Sequence, residues 1–153
     1  RTSIWLDLGQ ATSTNHCVSL CWFDFLVMAL ILLIEDNKEI SETTCELLEM
    51  AGYDVITAFS GSEGVESAKS CWPNLILCDI WLPKKDGYEV LSELKQDQKL
   101  VDTPFIFFTA CAEPREIKKG MEMGANGYIC KPFSEEELLK QVELILPQMK
   151  GIK

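Results

Sequence analysis

The sequence predicts an α/β fold, a doubly wound five-stranded parallel sheet with five helices. Two observations support it: strand-like and helix-like segments alternate five times from residue 29 onward, and most strand candidates are continuously apolar. Strands that are apolar on both sides indicate a sheet covered by helices on both faces. A chain of 153 residues is long enough for one such domain with a proper core.

The predicted strands are short segments bounded by polar residues, glycine or proline. They lie at residues 29–34 (ALILLI), 54–59 (DVITAF), 74–78 (NLILC), 104–108 (PFIFF) and 127–130 (GYIC). Pro73 separates the third strand from the helix before it, because proline interrupts helices.

A helix candidate follows each strand. The predicted helices span residues 38–50, 60–71, 87–96, 113–123 and 134–149. Gly52 is expected to end the first helix, and Gly61 and Gly64 weaken the second. Ser134 and Glu137 form a capping-box pattern at the start of the last helix. Five such units favour a flavodoxin-like (βα)5 arrangement with strand order 2-1-3-4-5.

The composition excludes several classes of protein. The net charge is −10, with 24 acidic residues against 14 Lys and Arg, which disfavours direct nucleic-acid binding. The seven cysteines form no metal-type pairs, and His16 is the only histidine, which disfavours zinc. Cys78 and Cys130 are predicted to be small buried hydrophobes of strands. We therefore expect no disulfide framework and a reducing, cytoplasmic compartment.

Residues 1–27 differ from the rest of the chain and form a leader of uncertain origin. They show no sustained period, which favours a non-native or disordered leader before a domain at 28–153. A short extra segment that packs on the domain is the alternative. The apolar run at 17–34 raises a membrane interpretation, but Asp24 lies within it and a central charge is costly in a bilayer. We expect no membrane association.

Polar side chains follow four of the predicted strands. Glu35 and Asp36 follow the first, Asp79 the third, Thr109 the fourth and Lys131 the fifth. Because functional groups of such sheets gather at the carboxyl ends of the strands, these residues are expected to meet at one edge. Three close carboxylates repel one another, and an all-oxygen ligand set suits Mg²⁺. The pattern therefore predicts a magnesium site with a lysine beside it.

A metal and a lysine around one carboxylate suit phosphoryl transfer, in which positioning and charge neutralisation do most of the catalytic work. A carboxylate can itself accept the phosphoryl group as an acyl phosphate. Asp79 is the best candidate acceptor because its strand is central. We expect Asp36 to bind the metal directly and Glu35 to bind it through water. Thr109 and Lys131 are expected to contact phosphoryl oxygens.

Four motifs in register resemble the receiver domain of response regulators, the phospho-accepting part of two-component and phosphorelay signalling. They are ILLIEDN, LILCDIWLPKKDGYEVL, PFIFFTA and GANGYICKPF, and the chemotaxis-regulator-like match covers about residues 29–149. The resemblance implies that Asp79 is the phosphorylation site and that Glu35 and Asp36 are the acidic pair. It also implies that the backbone carbonyl of Trp81 is a further Mg²⁺ ligand.

The same resemblance implies a switch. Thr109 and Tyr128 match the family's switch pair, and the Lys131–Pro132 peptide bond is expected to be cis. The phosphoryl donor would be a sensor histidine kinase or a histidine phosphotransfer protein, and the chain would be a phosphoprotein rather than a turnover enzyme. A downstream protein target would bind the face built from residues 113–149. The expected state is a monomer or a phosphorylation-dependent dimer.

Some positions depart from the family pattern. Glu35 replaces the commoner Asp, and Lys84 and Lys85 occupy a loop where the family often has Gly or Met. Two positions that affect the phosphoryl lifetime hold Trp81 and Cys111, neither of which carries a carboxylate or amide to orient water. We therefore expect slow self-dephosphorylation.

Two rival functions are considered. A haloacid-dehalogenase-like phosphatase would need a second Asp two residues after the nucleophile, where this chain has Trp81. A receiver-like interaction module that never takes phosphate would typically have lost the acceptor, the acidic pair or the lysine. Asp79, Glu35, Asp36 and Lys131 are all present, which disfavours it.

Overall fold

The computed structural model describes residues 28–110 and 113–146. The strands are β1 (Leu30–Ile34), β2 (Asp54–Ala58), β3 (Leu75–Cys78), β4 (Phe105–Ala110) and β5 (Gly127–Lys131). The helices are α1 (Lys38–Met50), α2 (Gly61–Cys71), α3 (Gly87–Gln96), α4 (Pro114–Glu122) and α5 (Glu135–Ile145). Strands and helices alternate as predicted.

The five strands form one parallel sheet in the order β2-β1-β3-β4-β5, which confirms the predicted topology. β3 lies at the centre, between β1 and β4. The register pairs Ile34 with Cys78 and Thr109 with Cys130. The residues that follow these positions are therefore brought to the same edge of the sheet.

Alternate strand residues enter two separate apolar cores. On one face, Leu32 and Phe107 join Val65 of α2 and Leu91 of α3. The second core lies on the opposite face, where the neighbouring strand residues meet α1 and α5. Its members include Ile31, Leu33, Ile106, Phe108, Leu48, Leu138 and Val142. The two cores explain why the strands are apolar along their whole length.

The helix ends follow local sequence signals. The Ser134 hydroxyl accepts the Glu137 backbone N–H at 3.2 Å, and the Glu137 carboxylate accepts the Ser134 backbone N–H at 2.8 Å, which confirms the predicted capping box. Gly52 has φ +93°, a left-handed conformation that glycine adopts easily, directly after the α1 cap. α2 ends at Cys71 and is capped by Trp72, which is also left-handed at φ 53°.

Three expectations differ from the structure. β4 continues to Ala110 instead of ending at residue 108, because Thr109 and Ala110 keep pairing with β5. α4 ends at Glu122 and α5 at Ile145, short of the predicted 123 and 149, and residues 147–153 lie outside the described residues. Cys78 is buried as predicted, but the prediction for Cys130 is wrong: it is exposed, because β5 is an edge strand.

The leader at 1–27 lies outside the described residues, so its origin and the domain boundary at 28 stay predictions. Among the residues that the structure describes, no helix is long and apolar enough to span a bilayer. The end of the apolar run at 17–34 forms β1 of the sheet.

Candidate functional site

The carboxyl edge of the sheet brings the predicted site residues together. The Asp79 backbone N–H donates to the Ile34 carbonyl at 2.9 Å, and that of Glu35 donates to the Ala58 carbonyl at 3.0 Å. These ladder bonds continue the strand pairing for one residue past β1 and β3. Asp79 and Glu35 therefore lie side by side at the strand ends.

Three carboxylates form a cluster at this edge. One oxygen each from Glu35, Asp36 and Asp79 lies within 4.8 Å of the other two. Glu35 and Asp79 are only 1% and 7% exposed, whereas Asp36 is exposed. Buried and exposed oxygens so close together suit a hard cation that keeps part of its water shell, as Mg²⁺ does. The donor set therefore fits Mg²⁺.

Lys131 supplies a positive charge to two of these carboxylates. Its ammonium donates to Asp79 Oδ2 at 2.7 Å and to the Glu35 carboxylate. The same ammonium lies 4.7 Å from the centre of the Phe108 ring, which shields it on one side. The peptide bond between Lys131 and Pro132 is cis, as the family resemblance implies.

The electrostatics of the pocket favour an additional cation. Burial raises the pKa of Glu35 above its ordinary value, although the hydrogen bond and charge of Lys131 and the Asn37 backbone N–H act in the opposite direction. The charge of Asp79 raises it further. One lysine therefore does not fully compensate the buried acid, and a divalent ion would complete the compensation.

Thr109 is the last but one residue of β4 and lies at the carboxyl edge of the sheet, opposite Cys130 of β5. The side chain is 0% exposed, and within the described part of the chain its Oγ1 has no hydrogen-bond partner. A buried hydroxyl without a partner is costly. It is therefore available to donate to an anion bound beside Asp79.

The loop after β3 folds tightly around Asp79. The Trp81 backbone N–H donates to Asp79 Oδ1 at 3.0 Å, while 65% of the Trp81 side chain is exposed. A Cβ at Gly87 would lie 2.4 Å from the Asp79 carbonyl oxygen, so only glycine allows this close return of the chain. Sequence reasoning began the third helix at residue 87 but did not find this contact.

Tyr128 points inward beneath α4. Its hydroxyl donates to the Glu116 carbonyl at 3.0 Å, and its ring centre lies 5.1 Å from that of Phe107. Sequence reasoning missed Tyr88, whose hydroxyl donates to the same carbonyl at 3.2 Å. No local pattern identifies this partner, because Tyr88 belongs to α3 and approaches only through tertiary packing.

The model of the response regulator receiver domain matches residues 31–143. The DNA-binding dual master transcriptional regulator RpaA of Synechocystis is 40% identical over 119 residues, covering 78% of this chain and 49% of the relative. The alkaline phosphatase synthesis transcriptional regulatory protein PhoP of Bacillus subtilis is 42% identical over 116 residues, covering 76% and 48%. This chain thus spans about half the length of these curated relatives.

A solved structure agrees with the sequence relatives. The chemotaxis protein CheY4 of Vibrio cholerae superposes with a TM-score of 0.75 at 30% identity, covering 78% of this chain and 99% of that one. The Synechocystis relative is named as DNA-binding, so the comparisons do not support the expectation of no direct nucleic-acid partner. From the family match, the shared fold and the acidic pocket, the chain belongs to the response regulator receiver domain family of two-component signalling.

Proposed function

We propose that Asp79 accepts a phosphoryl group from a phosphohistidine of a sensor histidine kinase or a histidine phosphotransfer protein. The observation that carries the proposal is the Lys131 ammonium, which contacts both Asp79 Oδ2 and Glu35 inside the carboxylate cluster. A carboxylate held by a lysine in an acidic pocket can present one oxygen to phosphorus while its charge is balanced.

The transfer forms one bond and breaks another. An Asp79 carboxylate oxygen attacks phosphorus, the phosphorus–nitrogen bond of the phosphohistidine breaks, and the imidazole leaves with the bonding electron pair. The product is an acyl phosphate on Asp79. The chain is consumed as acceptor in each event, so it is a signalling phosphoprotein and not a turnover enzyme.

Mg²⁺ fits the carboxylate cluster. Asp36, Asp79 and the Trp81 carbonyl would hold it directly, and Glu35 would hold it through water. When bound, the ion neutralises charge on the phosphoryl oxygens. The exposure of Asp36 leaves that side of the cluster open to solvent and to the incoming donor.

Lys131 and Thr109 bind the transferred group from the protein side. Lys131, already beside Asp79 Oδ2, pairs with one negatively charged phosphoryl oxygen, and the unpartnered Thr109 hydroxyl donates to another. That new hydrogen bond draws Thr109 toward the pocket and leaves space behind it. The vacated space favours the inward position of Tyr128 over an outward one.

The movement of Tyr128 changes the face formed by α4, β5 and α5, and with it the affinity for a downstream protein target. This is a population shift caused by a local change of charge. A monomer that dimerises on phosphorylation, and a cytoplasmic location, belong to the same proposal.

A phosphatase of the haloacid-dehalogenase type is disfavoured by the same geometry. Such an enzyme needs a carboxylic acid two residues after the nucleophile, where Trp81 lies with its indole exposed. The site therefore has an acceptor but no general acid at that position to protonate a leaving group.

The test is phosphorylation of the whole chain by acetyl phosphate with Mg²⁺, followed by intact-protein mass spectrometry. We expect one added phosphoryl group, lost completely in Asp79→Asn. Asp54→Asn, an exposed acid at the opposite end of the sheet, is the matched control and should be phosphorylated like the wild type. Equal labelling of Asp79→Asn and wild type would refute the assignment.

The proposed ligand set also predicts that phosphorylation of Asp79 depends on Mg²⁺. Removal of Mg²⁺ with a chelator, or Asp36→Asn, should reduce labelling strongly while the unfolding temperature without Mg²⁺ stays near that of the wild type, because Asp36 is exposed. Full labelling without a divalent ion would contradict the proposed ligand set.

The phosphoryl group on Asp79 should decay slowly, since the Trp81 side chain cannot orient an attacking water. Cys111, the other position that affects this lifetime, lies outside the described residues.

A further inference from the structure

Gly120 is the one buried residue among those that the structure describes in helix α4. Gly120 is fully enclosed, whereas the other described α4 side chains are exposed or partly exposed. A glycine inside a helix lowers its stability relative to alanine. The backbone does not need glycine here, since its φ lies outside the positive range. The reason for glycine must therefore lie in packing.

The space beside Gly120 is filled by Tyr128. A Cβ at position 120 would lie 1.9 Å from the Tyr128 hydroxyl oxygen, 3.0 Å from its Cζ and 2.8 Å from Phe107 Cε2. The distances to the Tyr128 hydroxyl and to Phe107 Cε2 are too short for a methyl group and the distance to Cζ is marginal, so a neighbour would have to move, most of all the phenol hydroxyl. Phe107 is fully buried, whereas Tyr128 is only half-buried and can rotate outward.

Polar and aromatic contacts hold the tyrosine in this space. The Glu116 carbonyl accepts hydrogen bonds from the hydroxyls of both Tyr128 and Tyr88. The Lys119 ammonium lies 4.0 Å from the centre of the Tyr88 ring, which ties α4 to α3. Burial and the Tyr88 hydroxyl raise the Tyr128 pKa well above its ordinary value, so the phenol stays protonated and able to donate.

We propose that Gly120 is a positioning residue that sets the balance between inward and outward Tyr128 by leaving space for the phenol hydroxyl. A methyl group at this position meets the phenol hydroxyl only in the inward state, whereas its close approach to Phe107 is common to both states, so it raises the free energy of the inward state relative to the outward one. The inference rests on the proposed function in one respect: the outward-to-inward balance is what phosphorylation of Asp79 is proposed to change. By linkage, Gly120→Ala also changes the affinity for a phosphoryl mimic at Asp79.

The test uses fluorine NMR of the whole chain labelled with fluorotyrosine. The three tyrosines give three resonances, and Tyr128→Phe assigns that of Tyr128. Without Mg²⁺ or beryllofluoride, Gly120→Ala is expected to move the Tyr128 resonance away from its wild-type position. The control is Gly127→Ala, where a Cβ would come no closer than 3.5 Å to any residue other than the two adjacent in the chain, and it should move that resonance much less than Gly120→Ala does.

An unmoved Tyr128 resonance in a folded Gly120→Ala protein overturns the inference. The proposed function is tested separately, by adding Mg²⁺ and beryllofluoride to the wild type. If the wild type does not respond while Gly120→Ala still shifts Tyr128, the proposed function fails and the role of Gly120 stands.

A second variant tests the inference in case Gly120→Ala fails to fold. If Gly120→Ala does not fold, the double variant Gly120→Ala with Tyr128→Ser decides, because it removes the ring that the methyl group meets. Recovery of folding supports the inference. Failure to recover shows that Phe107 or the helix backbone rejects the methyl group, and overturns it.

Discussion

The two sides of the acidic pocket are held in different ways. On the side of β1 and α1, four of five strand residues are buried, and α1 buries Ser41, Thr44 and Leu48. On the side of β5 and α4, only Ile129 of the strand and Gly120 of the helix are buried. Glu35 thus follows a strand buried in a core, whereas Tyr128 is held by its hydrogen bond to the Glu116 carbonyl and its ring contact with Phe107. Weakly buried segments open at low free energy, and this is the side where the switch is proposed.

At the amino-terminal ends of the strands, the two sides of the sheet are held by equivalent hydrogen bonds. Asn74 and Asn126 each precede a strand and make the same pair of hydrogen bonds. The Asn74 side chain accepts the Leu30 backbone N–H at 2.7 Å, and the Asn126 side chain accepts that of Phe105 at 2.9 Å. In return each asparagine backbone N–H donates to the carbonyl of the same partner, at 2.7 Å in both cases. The contrast between the two sides is therefore confined to the carboxyl edge and its helices.

The largest test of this contrast uses two neighbouring phenylalanines of β4. Phe107 faces the rings of Tyr88 and Tyr128, and Phe108 faces Phe133 on the opposite side of the sheet. Both are fully buried, so each alanine substitution should lower the free energy of unfolding by about 3–5 kcal/mol. Urea unfolding measures this loss.

The two variants should nevertheless differ at Tyr128. The fluorotyrosine resonance of Tyr128 should move in Phe107→Ala and stay near its wild-type position in Phe108→Ala, because only Phe107 packs on that ring. Equal shifts in both variants would show that the two faces of β4 are not independent.

A smaller effect is expected at the two asparagines. Asn74→Ala and Asn126→Ala each leave a backbone N–H without its side-chain acceptor, which should cost about 1–2 kcal/mol of unfolding free energy. Amide hydrogen exchange separates them: Asn126→Ala should speed exchange in β4 and β5, and Asn74→Ala in β1 and β3. Exchange that rises uniformly in both variants would contradict local opening.

The smallest effect is a difference in pH dependence between two acids. Burial raises the folded-state pKa of Glu35 above 4.5, so the folded protein binds more protons there than the unfolded chain. In the window from pH 4.5 up to that raised pKa, Glu35 makes the free energy of unfolding fall as pH rises. Hydrogen bonds from the Ser134 backbone N–H and hydroxyl lower the pKa of Glu137, so its contribution is lost as pH falls below 4.5.

Urea unfolding without Mg²⁺, at pH values on both sides of 4.5, measures the two slopes. Glu35→Gln should remove the fall in the free energy of unfolding above pH 4.5, and Glu137→Gln should remove the loss of unfolding free energy below pH 4.5. A wild-type slope retained in Glu35→Gln would assign the titration to another group of the pocket.

Much of the fold and the site composition follows from the sequence because both depend on local patterns. Apolar runs identify the strands, and parallel strands place Glu35, Asp79 and Lys131 at one edge. The contact of Lys131 with both acids depends on side-chain placement and does not follow from any spacing. Exposure of Cys130 depends on which side of an edge strand it occupies. Tyr88 and Gly120 meet Tyr128 only after α3 and α4 pack, so no local pattern identifies them.

The Lys131 contacts join residues that lie far apart in the sequence, and we expect them to form late in folding. Lys131 is separated by 96 residues from Glu35 and by 52 from Asp79, so these ion pairs close the longest loops in the pocket. Closing long loops is entropically costly and slow, and such contacts form late. A nascent chain that has folded only as far as β4 would carry every acid of the pocket without its lysine. The proposed phosphoryl transfer to Asp79 therefore requires β5 to be in place, since that strand carries the lysine.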